Sequence, residues 1–244
     1  MRVPARAVLA TYLRLLAVQG SWNYETLLGN GIAFCAEPIL RLLPEDRYRA
    51  AMVREARYFN AHPYLAAVAV GALARAELDG ADPARIERFR TALCGPLGSV
   101  GDQLVWAGWL PLCSLAGIGA FALGAGPLTT LFIFLGAYNA GHLALRAWGL
   151  HAGLARGLDI APALAAPLLR RGPAILARVG AITAGVVLPI ALERIIGPGR
   201  VVAGAVAAGA VAGAIALART HTRAQGWRVA LLFLAAYVLY SVVR

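Results

Sequence analysis

Lysine is absent: all 23 basic side chains of this 244-residue chain are arginines. A P-loop phosphate cradle, a protein-kinase site and a pyridoxal Schiff base each need a lysine amine, so those chemistries are close to excluded. Charge of either sign is scarce, at 14% of residues against roughly 25% in an average soluble domain. After residue 102 only Asp159 and Glu193 stand against 11 arginines. Cysteine is limited to Cys35, Cys94 and Cys113. An odd number with no C-x-x-C spacing supports neither a metal site nor a disulfide framework, and suits small apolar packing. No metal and no cofactor is expected.

What is present is apolar. Hydrophobic residues make up 60% of the chain, and the mean hydropathy is +0.67. The net charge of +11 raises the question of nucleic acid, but its distribution points elsewhere. Residues 1–102 carry 12 arginines against 10 acids, and the later arginines sit between apolar runs. No basic cluster with interleaved aromatics appears, so no nucleic-acid partner is expected. Arg14 interrupts the first apolar stretch and no A-x-A site closes it, so a cleaved leader is not expected either.

The longest uncharged stretch runs from Gln103 to Leu145, 43 residues without Asp, Glu, Lys or Arg. A membrane span needs about 20 apolar residues, so this stretch holds two, about 104–124 and 127–147, with a turn at Gly124–Pro127. Weaker spans follow at about 174–193, 200–218 and 227–243. Within 200–218, Gly209 and Gly213 stand in G-x-x-x-G spacing with Gly204 and Ala208 before them, a pattern that lets helices approach closely in lipid. The connections 146–178 and 219–228 are rich in arginine, so the positive-inside rule places them in the cytoplasm and Arg244 outside. The expected fold class is all-α: a polytopic membrane protein with about five transmembrane helices over 103–244.

Residues 1–102 read as a helical region with interfacial or re-entrant segments. Pro44 opens an amphipathic helix in which Tyr48, Met52 and Phe59 share a face. The apolar run Tyr64–Ala74 is too short to cross a bilayer and suits a re-entrant or interfacial segment. Asp82 and Pro83 form an N-cap with proline at the first helical position. Ile86, Phe89 and Leu93 then follow at helical spacing until Gly95-Pro96, which is expected to stop the helix.

Three clusters set polar groups and backbone breakers beside apolar sequence. The first is Ser21-Trp22-Asn23-Tyr24-Glu25, with Gly29 to Gly31 close behind. The second is Phe59-Asn60-Ala61-His62-Pro63. The third is Gly95-Pro96-Leu97-Gly98-Ser99-Val100-Gly101-Asp102. A sugar sheds its hydration shell in a membrane only where carboxylate, amide or imidazole groups meet its hydroxyls. Gly and Pro break helices and free backbone groups at depth for the same use. Each cluster also has a plainer reading. Asn60 and His62 suit helix caps, Glu25 an interfacial carboxylate paired with arginine, and Asp102 the edge of the first span. His142 and His151 read as structural histidines.

Together the clusters resemble the enzyme IID membrane subunit of the mannose/fructose/sorbose class of bacterial sugar phosphotransferase systems. That family's W/F-N-Y-E, F-N-T-H-P and G-P-L-A-G-I-G-D motifs are similar to Trp22–Glu25, Phe59–Pro63 and Gly95–Asp102, in the same order. Tyr138-Asn139, Arg146 and Gly157 resemble a further family pattern. Ala61 departs from the usual threonine, Gly98-Ser99 from Ala-Gly, and Glu77 is one acid where the family tends to have two.

The resemblance implies a non-catalytic subunit of a sugar permease in the bacterial cytoplasmic (inner) membrane. It would pair with a IIC subunit to bind and move a hexose, which a cytoplasmic IIA/IIB partner phosphorylates. A higher oligomer of IIC–IID pairs is implied too. Glu25, Asn60, His62 and Asp102 are the expected sugar contacts. Trp22, Asn23, Tyr24, Phe59, Pro63, Gly95, Pro96, Gly98 and Gly101 are the expected structural positions. The alternative is a regulatory or sensory membrane protein that kept the fold and lost transport.

Overall fold

Short apolar segments with small residues and long uncharged ones both become helix here, but they end in different surroundings. This computed structural model describes residues 2–196, and among them no strand forms, only two isolated β-bridges. The expected spans 200–218 and 227–243, the 219–228 connection, Gly204, Ala208, Gly209, Gly213 and Arg244 lie outside the described residues.

The first four helices are α1 (Ala5–Leu15), α2 (Gly29–Leu40), α3 (Glu45–Glu55) and α4 (Ala66–Leu78). α4 is enclosed: every residue in it except Arg75 is buried. The run Tyr64–Ala74 is covered by α2 and a long later helix of the same chain. α3 starts after Pro44 as expected, and Tyr48 and Met52 pack against the core. Phe59 is not on that face, since the helix ends at Glu55 and Phe59 lies beyond it, fully buried.

Asp82 caps the next helix, accepting the Arg85 N–H, and Pro83 takes the first helical position. Gly95-Pro96 does not stop this helix. α5 (Pro83–Gly101) continues through a π-helical stretch, Asp102–Trp109, into α6 (Leu110–Ala122). Leu93 and Leu97 are both buried in the core and hold the helical register across the proline. Pro96 removes only one donor, and Gly95 and Gly98 leave open space beside it. The expected boundary between 102 and 103 thus falls inside one continuous helix.

After a turn at residues 123–126, α7 (Pro127–Arg156) runs 30 residues, or about 45 Å at 1.5 Å per residue. A 3₁₀ turn (Gly157–Asp159) and α8 (Ala161–Leu164) lead to α9 (Pro167–Ile196). Among the described residues three helices are long and apolar enough to cross a membrane: Pro83–Ala122, Pro127–Asp159 and Ala161–Leu192. The expected spans 104–124, 127–147 and 174–193 fall on these three. The expected connection 146–178 is mostly helix, with Arg146 in α7 and Arg170, Arg171 and Arg178 in α9. Arg146 is buried, its guanidinium 4.1 Å from the Tyr64 ring centroid.

α4 and α7 meet backbone to backbone. A methyl group on Gly71 would come within 2.6 Å of the Leu150 carbonyl oxygen, and one on Gly153 within 2.5 Å of the Val68 carbonyl oxygen. Gly149 and Gly153 supply the small-residue spacing on α7 that this approach requires.

Candidate functional site: a polar cavity where three clusters meet

Asn23 folds the first cluster. Its side-chain oxygen accepts the N–H groups of Glu25 at 2.9 Å and Thr26 at 2.8 Å, while its amide donates to Thr26 Oγ1 at 2.9 Å. Leu27 then takes a left-handed φ of 49°, a conformation that costs a β-carbon-bearing residue about 1–3 kcal/mol and needs support. Support comes from the second cluster. The Phe59 N–H donates to the Thr26 carbonyl at 3.0 Å, and the Leu28 N–H donates to the Phe59 carbonyl at 3.0 Å.

Arg90 fastens the other side of that segment. Its guanidinium donates to the carbonyls of Glu55 at 2.9 Å, Arg57 at 2.7 Å and Tyr58 at 2.7 Å, and it lies 4.9 Å from the Phe59 ring centroid. It thereby satisfies the last carbonyl of α3 and two carbonyls of the segment that follows. Glu55 is fully buried and pairs with Arg90 at 3.5 Å. Burial, partly offset by Arg90, pushes its carboxyl up to about 7.

The second cluster is bonded to the third. The His62 N–H donates to the Leu97 carbonyl at 3.2 Å, and a methyl group at Gly101 would overlap the His62 side chain. The three clusters therefore enclose one cavity of about 390 Å³. Trp22 lines it from the first, Asn60, Ala61 and Pro63 from the second, and Gly95, Gly98, Ser99 and Asp102 from the third; Gln19, Cys94 and Trp106 complete the wall. Its polar groups are one carboxylate, two amides and one hydroxyl, set among indole surfaces.

The expected sugar contacts divide. Asn60 and Asp102 line the cavity with exposed side chains. His62 is buried behind the wall, its ring edge-on to Tyr64 at 4.9 Å and to Trp106 at 4.7 Å. Its Nδ1 accepts the Tyr64 N–H at 3.2 Å. Burial, reinforced by the Arg146 charge, pushes its pKa down to about 4, so the ring is neutral at ordinary pH. Glu25 is exposed and is not part of the lining; Tyr24 is 89% exposed and meets the edge of Trp22. Asn23 and Phe59 hold the backbone through the bonds above, and Gly101 packs against His62.

Sequence reasoning missed Trp106, Cys94, Gln19 and Arg90. Gly95, Ser99, Asp102 and Trp106 fall at helical spacing, a signal hidden only by ending the helix at Pro96. Arg90 carries no local signal, since its partners are more than 30 residues away. Behind His62, the Tyr64 and Tyr138 hydroxyls share a hydrogen bond at 2.5 Å, and the Tyr64 ring stacks on His142 at 4.9 Å. This seam ties the cavity wall to α7. Among the described residues no three His, Cys, Asp or Glu side chains converge to hold a metal ion.

Known proteins share both the sequence and the fold. The mannose-specific IID component of Escherichia coli K12 is 36% identical over 159 residues, covering 61% of this chain and 55% of that protein. The fructose permease IID component of Bacillus subtilis 168 is 33% identical over 175 residues, covering 67% and 62%. The sorbose-specific IID component of Klebsiella pneumoniae is 32% identical over 173 residues, again 67% and 62%. The chain spans little more than half the length of the curated relatives it matches. Among solved structures, one described as a membrane protein matches with a TM-score of 0.73 at 22% identity, covering 99% of this chain and 98% of that one. A chain of the cryo-EM structure of the mannose transporter ManYZ with microcin E492 matches with a TM-score of 0.60 at 22% identity, covering 99% and 97%. Residues 2–192 match the family described as the PTS system mannose/fructose/sorbose family IID component. The chain belongs to that family.

Proposed function

We propose that this chain pairs with a IIC membrane subunit in the bacterial cytoplasmic membrane to bind and translocate a hexose. A cytoplasmic IIAB partner phosphorylates the sugar on entry. The observation that carries the reading is the convergence of the three clusters on one open, polar cavity large enough for a monosaccharide. Asp102, Asn60 and Ser99 receive sugar hydroxyls, and the indoles of Trp22 and Trp106 receive the apolar face of the ring. His62 holds the wall from behind. The chain itself makes and breaks no bonds, and the chemistry belongs to IIAB. An intact cavity favours transport over a purely regulatory role.

Side chains on the long helices support the pairing. Leu128, Phe132 and Ile182 are each about 70% exposed, and lipid or a neighbouring IIC–IID pair covers them. The arginines flanking the 157–166 connection support a cytoplasmic placement for it. The names of the relatives make mannose, fructose and sorbose the first sugars to test.

Uptake is measured per complex recovered from the membrane, in cells supplying IIC and IIAB. Asn60→Ala and Asp102→Asn each lower it by about 5- to 150-fold, the equivalent of one or two lost hydrogen bonds at about 1–3 kcal/mol. Cys94 reports the same event directly, because it lines the cavity while Cys35 and Cys113 are buried. The transported sugar slows maleimide labelling of Cys94. Normal uptake per complex in both variants, with labelling indifferent to sugar, defeats the reading.

A further inference from the structure

The cavity has a charge character that its neutral cargo does not require. Among the described residues that line it, Asp102 is the one carboxylate and none is an arginine or histidine. The Asp102 carboxylate makes no hydrogen bond or ion pair with any described residue. Cys94 follows Arg90 by one helical turn, yet the Arg90 guanidinium is turned away, spent on three carbonyls and Glu55 beneath Phe59. The nearest imidazole, His62, lies behind the wall with Nδ1 occupied by the Tyr64 N–H.

A hexose offers O–H donors, which an unpartnered carboxylate accepts well. A sugar monophosphate brings about 1.5 to 2 negative charges near neutral pH, and here it meets a like charge with no cation among the described lining residues. Resting on the sugar reading of this same cavity, we infer that Asp102 makes the cavity selective for the free sugar against its phosphate ester. Phosphorylation on the cytoplasmic side then expels the product and bars its return. Asp102 is a specificity-determining group, attractive to the cargo and repulsive to the product.

The test is equilibrium binding to the full chain purified with its IIC subunit in lipid nanodiscs, with IIAB omitted. The probes are mannose, fructose and sorbose, each with its monophosphate. Wild type binds the free sugar at least about tenfold more tightly than its phosphate. High salt narrows that ratio by strengthening only the phosphate, as screening of a like-charge contact requires. Asp102→Asn brings the ratio to within a few-fold from both sides, weakening the free sugar by the acceptor it loses and admitting the phosphate by the charge it removes. Ser99→Arg, which adds a cation to the wall, raises phosphate binding further and does not depend on the Asp102 variant folding. Equal wild-type affinities for sugar and phosphate overturn the inference, as does a ratio insensitive to both salt and Ser99→Arg. If no sugar binds, or if Asn60→Ala and Asp102→Asn leave sugar binding unchanged, the sugar reading itself falls.

Discussion

α4 and α9 are built from nearly the same alphabet, mainly Ala, Val, Leu, Ile and Gly, and they live in opposite surroundings. α4 is 13 residues long and buried by its own chain, whereas α9 is 30 residues long and leaves Ile175, Ile182 and Val186 more than half exposed. Composition cannot tell the two apart. Length and the spacing of small residues can, because a helix too short to span must find its cover within the protein. Glycine means different things in the two helices. In α4 Gly71 is a point of backbone contact, and in α9 Gly180 and Gly185 meet nothing within 4 Å.

Removing Arg90 should damage the enclosed region most. Arg90→Ala leaves the carbonyls of Glu55, Arg57 and Tyr58 and the Glu55 carboxylate without that partner, a loss of about 3–5 kcal/mol. Little or no complex is expected to be recovered from membranes at the wild-type growth temperature, and full recovery would show that the guanidinium is dispensable. Next comes the helix seam. Gly153→Leu forces α7 off α4 and costs about 3 kcal/mol, read as lost monodisperse complex in size-exclusion chromatography. Gly185→Leu on α9 should leave the profile unchanged. Should it also dissociate the IIC pairing, α9 is covered by the partner and the contrast between the two helices narrows.

The smallest effect concerns pH. Glu55 is raised above its ordinary value, so its stabilising neutral form is full below about 4.5 and is lost as pH rises through about 7. His62 is depressed, so its contribution is full above about 6.5 and is lost as pH falls through about 4. Glu55→Gln should flatten the decline in thermal stability between about pH 5 and 8, by roughly 2–4 °C, leaving the acid side governed by His62. An unchanged Tm profile would mean that Arg90 keeps Glu55 ionised throughout.

Much of this was legible because it is local. The Asp82–Pro83 helix start, the turn before Pro127 and the polar clusters each carry their signal within a few residues. The continuation past Pro96 did not, because it depends on Leu93 and Leu97 reaching a core assembled from other helices. The cavity was half legible: Asn60 and Asp102 were found by their chemistry, while Trp106 was lost with the premature helix end. His62 and Glu25 have suitable chemistry, but His62 is buried behind the wall and Glu25 is not part of the lining. The Gly149–Gly153 spacing stands in the sequence, yet its meaning depends on Gly71 in a distant helix.

The bond from the His62 N–H to the Leu97 carbonyl has a mechanical consequence. It rivets two facing walls of the cavity together, and Gly101 seated against His62 leaves no slack at the joint. The helix Pro83–Ala122 and the Asn60 segment are coupled at this joint, and moving one without the other would cost the bond, about 1 kcal/mol. Parting the walls of the chamber like a jaw would first have to break that bond.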